Sequence, residues 1–123
     1  MGGTYHNFYM MYGGNNFGRH AGGQVITAYA NDAPINPYGN PNNPKYTKLQ
    51  QVFNTLQDYA QCLQGMDPPK PVQVETNVTA ITYSNSSASI TFLSNIGDPM
   101  KLNVDYKNKK YDLAANSTIA LDK

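Results

Sequence analysis

Three of the six residues in the segment Met66-Asp67-Pro68-Pro69-Lys70-Pro71 are prolines. No helix or central strand runs through such a stretch, because each proline ring fixes φ, removes an N–H donor and drives the preceding residue out of the helical region. The chain therefore divides there, and its patterning changes at the same place. Residues 66–71 read as a linker between a first part, 1–65, and a second, 72–123. The second part alternates in short β-favouring runs near 79–83, 88–94, 101–106, 109–113 and 117–121. Asn-Ser, Gly-Asp-Pro and Asn-Lys turn signals separate them. This pattern predicts a small antiparallel β-domain, a meander or half-sandwich, whose core is small enough to need the helix or a further domain for stability.

The first part reads differently. TYHNFYMMY, residues 4–12, is an aromatic, β-favouring run ending at Gly13-Gly14, which predicts one buried strand feeding a loop. GGNNFGRHAGG then holds too much Gly and Asn for a regular element and predicts a shaped loop. A short extended piece, QVITAYA, precedes Asp32-Ala33-Pro34 and a proline-punctuated connection through residue 44. Asn43-Pro44 is a helix start, with Asn at the N-cap and Pro at the first helical position. Leu49, Val52, Phe53, Leu56, Ala60 and Leu63 follow at the spacing of an amphipathic helix, and Gly65 stops it. Strand, loop and helix in this order make one βα unit.

Composition narrows what such a chain does. Its 123 residues are about half of what a (β/α)₈ barrel needs, so any barrel piece is incomplete. A net charge of +1 with 14% charged residues provides no basic patch for nucleic acid, and no stretch is long and apolar enough to span a membrane. Cys62 is the only cysteine, which excludes an intrachain disulfide. His6 and His20 have no third ligand nearby in sequence, so no metal site is expected, and no cofactor is indicated. Ten Tyr without a Trp suit sugar-facing surfaces as well as core margins. No signal peptide is visible, and Met1-Gly2-Gly3 reads like mid-domain sequence with a methionine at its head. Three sequons, at Asn77, Asn85 and Asn116, all fall in the second part.

The most specific signal is YMMYGGNNFGRHAGG (9–23) followed by VITAYANDAPINPYG (25–39). It resembles the YMYHGGTNFGRTAGG-like and ITTSYDYDAPIDEYG-like stretches of plant-type family 35 β-galactosidases, at the same separation less one residue. The similarity continues through PKYTKL and into the second part, nearly the whole chain. It implies the last βα unit of a (β/α)₈ TIM barrel followed by an antiparallel β-domain, in a retaining glycosidase that removes terminal β-galactosyl residues. Its ligand would be galactose or a β-galactoside. Family members are secreted to the wall or apoplast, or are vacuolar or lysosomal.

Retention needs two carboxyl groups about 5 to 5.5 Å apart. In this family both glutamates come from earlier barrel strands, and this chain holds a single glutamate, Glu75, beyond the linker. No catalytic residue is therefore expected in this chain, and the missing upstream barrel is a candidate partner. Tyr9 matches the tyrosine that opens the family's strand-8 motif and approaches galactose. For a second such tyrosine, anchoring on Asp-Ala-Pro points to Asn31, while the one-residue deletion points to Tyr29. Met11, Tyr12, Asn15 and His20 depart from the family pattern. Two other readings stay open: a non-catalytic carbohydrate-binding or wall-associated protein, and a product that does not fold because one βα unit leaves strand edges and a helix face uncovered.

Overall fold

The computed structural model describes residues 6–97 and 99–122. These form two compact units that part within a helix, one ending at Asn54 and the other running from Thr55.

In the first unit, the expected strand over 4–12 is not formed among the described residues; Thr4 and Tyr5 lie outside them. Residues 6–10 carry no regular structure, and Met10 takes a left-handed φ of 66° that interrupts an extended run. What remains of strand pairing is isolated: Tyr12 bridges Ile35 in parallel, Asn15 bridges Ala28, and Gly22 bridges Val25. A parallel strand holds its shape through evenly spaced bonds to neighbours along its length, and a single bridge does not supply them. QVITAYA likewise contributes bridges rather than a strand. A 3₁₀ turn, Gly18–His20, sits in the loop. The helix forms as expected but in two pieces, α1 (Lys45–Asp58) and, in the second unit, α2 (Ala60–Leu63), with Gly65 beyond at a φ of 73°. Asn43 accepts the Thr47 hydroxyl at 2.6 Å.

The first unit buries little. Its only buried described residues are Gly13, Ala33 and Pro34, and α1 buries none of its side chains. Aromatic edges hold part of it, with His6 against Phe8 at 4.3 Å and Phe8 against Phe53 at 5.1 Å.

The second unit has a true apolar core. Its strands are β1 (Val72–Glu75), β2 (Val78–Ser84), β3 (Ser89–Asn95), β4 (Lys101–Tyr106), β5 (Lys109–Leu113) and β6 (Ser117–Asp122). Five match the runs expected from sequence. The first, VQVE, follows directly on Pro71 and sits at a sheet edge, where a flanking proline removes no ladder bond. One sheet has the order β1-β2-β3-β6, and β4-β5 form a separate hairpin; every pair is antiparallel. The chain thus leaves the sheet after β3, makes the hairpin, and returns beside β3, a half-sandwich rather than a meander.

Register decides what is buried. Ala80, Leu93 and Ile119 stand in one row across β2, β3 and β6. Val78, Ala80 and Leu93 close with Val104 and Leu113 of the hairpin into one buried cluster, flanked by Val74, Tyr106, Tyr111 and Leu121. Alternation sends Ile81 and Ile90 to the opposite face, also buried. Polar residues inside the sheet are mostly paired, Thr82 with Thr91 at 2.8 Å and Ser94 with Thr118 at 2.9 Å. α2 packs beside β2 and buries Cys62, whose thiol donates to the Tyr59 carbonyl.

Candidate functional site

The Gly-rich stretch and the segment that follows it are joined by backbone bonds. Asn16 N–H donates to the Thr27 carbonyl at 2.7 Å, Ala30 N–H to Gly13 at 3.1 Å, and Ile35 N–H to Met11 at 2.9 Å. The chain between turns back at the Gly22–Val25 pair. Glycine is required at Gly14. Its φ is 63°, and a Cβ there would come within 2.5 Å of both the Met10 methyl and the Tyr29 ring.

Side chains reinforce the same joint. Tyr12 Oη donates to the Pro37 carbonyl at 3.1 Å and Asn15 Nδ2 to the same oxygen at 3.3 Å. Asn16 Nδ2 reaches the Ile26 carbonyl at 2.7 Å. Asn36 Oδ1 accepts from Tyr38 N–H and Asn40 N–H, each at 3.0 Å, closing an Asx-type turn around Tyr38. Asn42 Nδ2 donates to the Asn31 carbonyl at 3.3 Å and the Ala33 carbonyl at 3.1 Å, clamping the Asp-Ala-Pro turn. Lys45 binds the Asp32 carboxylate at 2.9 Å. That hydrogen bond, then the lysine charge, holds the Asp32 carboxyl below its ordinary value. Asp32 is thus an ionised anchor at the exposed start of α1.

Around these bonds, Tyr9 is 82% exposed and Tyr29 is 56% exposed. Tyr29 lies over Gly14 beside the methyl of Met10, the residue next to Tyr9. Asn31 is exposed and takes part through its backbone carbonyl. No hydrogen bond or ring contact joins Tyr9 to Tyr29 or Asn31 among the described residues. Tyr38 and Phe17 add exposed aromatic surface, while Arg19 is exposed in the 3₁₀ turn. Sequence reading missed Asn36 and Asn42 as organisers. Their signal was the alternation of Asn with Pro over residues 36–44, which marks side-chain-bonded turns.

Residues 1–56 match the model of glycosyl hydrolases family 35. That match covers the Gly-rich stretch, the Asp-Ala-Pro segment and most of α1. Likeness to individual relatives extends past residue 56. Beta-galactosidase 8 of Arabidopsis thaliana is 35% identical over 122 residues, 98% of this chain and 14% of that protein. Beta-galactosidase 6 of Oryza sativa subsp. japonica is 34% identical over 122 residues, with coverages of 98% and 14%. Beta-galactosidase 10 of Arabidopsis thaliana is 35% identical over 122 residues, with 98% and 16%. The chain therefore spans about one-seventh of the length of the curated relatives it matches, and both units lie within the similarity. The two stretches that the backbone bonds hold together, 9–23 and 25–39, both lie within the residues that match the family model.

Proposed function

We propose that this chain is part of a family 35 β-galactosidase, a retaining glycosidase removing terminal β-D-galactosyl residues. Residues 1–65 are the last strand segment, loop and helix of a (β/α)₈ barrel, 66–71 a linker and 72–123 the next β-domain. The observation that carries the reading is the first unit: family 35 residues whose amphipathic helix α1 buries none of its side chains. An amphipathic stripe ordinarily faces a core, and neighbouring barrel strands and helices would supply one.

The retaining mechanism draws on two carboxyl groups, and Glu75 is this chain's only glutamate. Asp32 is held by Lys45, and Asp58 is exposed. The isolated chain is therefore inactive, and the glutamate pair comes from the rest of the barrel. Its own contribution is substrate binding: Tyr9 and Tyr29 present a ring face and a hydroxyl to galactose, with Asn31 at the adjoining turn. Secretion to wall, apoplast or a vacuolar or lysosomal compartment goes with this assignment.

The test is a chimera in which this chain replaces the matching segment of an active plant β-galactosidase. Turnover of a chromogenic β-galactoside, weakened by Tyr9→Phe, is expected, and a folded but inactive chimera overturns the assignment. The chain alone should show no turnover, and hydrolysis by it would disprove the claim that it lacks a catalytic pair.

A further inference from the structure

The three sequons of the second unit are not equivalent in the folded chain. At Asn85 both ends of the carboxamide are committed. Oδ1 accepts from Ser87 N–H and Ala88 N–H, each at 2.9 Å, and so shapes the turn between β2 and β3. Nδ2 donates to the Gln61 carbonyl of α2 at 2.9 Å. A sugar on that nitrogen has to fit between the turn and the helix it ties down. Asn77 is crowded differently. Its Nδ2 would stand 3.2 Å from a Cβ on Gly97, so the carboxamide already lies against that backbone.

Asn116 differs from both. It occupies the turn between β5 and β6 and shares with Asn77 an exposed position and a left-handed φ, 52° here and 65° there, but no neighbouring backbone lies against its carboxamide among the described contacts. That turn is shaped by other groups: Ser117 Oγ donates to the Ala114 carbonyl at 2.8 Å, and the buried Asn95 Nδ2 donates to the same oxygen at 3.1 Å. Asn116 contributes its backbone N–H, to the Gly97 carbonyl at 3.3 Å, and its carboxamide has no hydrogen-bond partner among the described residues. A left-handed φ suits Asn and sets its side chain on a tight, outward-facing turn.

We infer that Asn116 is the N-glycan acceptor of this chain and that Asn85 is a structural asparagine kept bare. The co-reactant is a polyprenyl-diphosphate oligosaccharide. Asn116 Nδ2 attacks the anomeric carbon, a C–N bond forms as the bond from carbon to the diphosphate oxygen breaks, polyprenyl diphosphate leaves, and one amide proton passes to base. The sequon is completed by Thr118, two residues on in β6. The inference rests on the secreted reading above.

The test expresses the full chain behind a fused secretion leader in a glycosylating eukaryotic host and maps each sequon by peptide mass after enzymatic glycan release. Asn116 should be occupied in the secreted protein and Asn85 bare. Asn116→Asp, which keeps a residue tolerant of the left-handed φ, should lose one glycan. Ser87→Ala, which destroys the Asn85 sequon but leaves the backbone N–H that binds Oδ1, should lose none. A bare Asn116, or a glycan lost in Ser87→Ala, overturns the inference. Because the leader imposes the route, either failure counts against the site alone; the secreted reading is tested separately, by where the native protein resides.

Discussion

The Tyr12 hydroxyl donates to the Pro37 carbonyl at 3.1 Å, joining the Gly-rich stretch to the second signature segment. Asn15 Nδ2 binds the same oxygen at 3.3 Å, so the two side chains share one acceptor. A net hydrogen bond is worth about 0.5–1.5 kcal/mol, and in this pair two donors share one carbonyl. Tyr12→Phe or Asn15→Ala alone should speed exchange of the Ala30 and Ile35 amides modestly, roughly 2- to 10-fold. The double variant should exceed the sum of the two singles, measured as a double-mutant cycle by hydrogen exchange. Strict additivity would mean the two donors act independently.

Gly14 gives the second prediction. An alanine there meets both a left-handed φ and atoms within 2.5 Å, and the backbone cost alone is about 1–2 kcal/mol. Gly14→Ala should shift the resonances of Met10 and Tyr29 while leaving those of Leu93 and Val104 in place. In the active chimera it should raise KM for the galactoside more than it lowers kcat. Gly18→Ala, with the same sign of φ but open space around it, should be the milder change.

The second unit was far more legible in sequence than the first, for a physical reason. VTAITYS and SITFLSN are β-favouring runs bounded by turn signals, and both are buried on the two faces of the sheet around Leu93, so strand propensity and burial agree. The aromatic run at 4–12 has strand propensity, but a strand is realised through neighbours, and the described part of it finds one bridge at Tyr12. The roles of Asn36 and Asn42 were hidden because side-chain-to-carbonyl bonds leave no periodic trace. Tyr9 and Tyr29 came from resemblance, and composition alone would not have separated them from the other tyrosines.

Unequal burial sets a third expectation. Leu93 is fully buried at the centre of the cluster, and truncating such a residue costs about 2–5 kcal/mol. Leu93→Ala should lower the stability of the second unit by that amount, read from its urea midpoint. In the first unit, Phe53→Ala touches a side chain that is 38% exposed, and its effect on global unfolding should be well under that of Leu93→Ala. Hydrogen exchange should show the same order, with amides of residues 78–95 protected longest and those of 6–44 shortest.

The last prediction concerns alkaline pH. The Tyr59 hydroxyl is hydrogen-bonded to the Asp122 carboxylate at the end of β6, which pushes the phenol up to about 12; burial and nearby negative charge act in the same direction. An unfolded tyrosine ionises near 10. The folded value is the higher one, so the stabilisation is fully present below about pH 10. Above it the unfolded chain loses its proton first, and the contribution disappears as pH rises towards 12. Urea unfolding from pH 8 to 12 should show stability falling across that window, and ultraviolet difference spectroscopy should place one tyrosine titrating late. Tyr59→Phe should remove that late step and flatten the fall, since phenylalanine has no proton to lose. An unchanged slope in Tyr59→Phe would assign the alkaline loss to other tyrosines and would sink the stabilising role of the Tyr59–Asp122 bond.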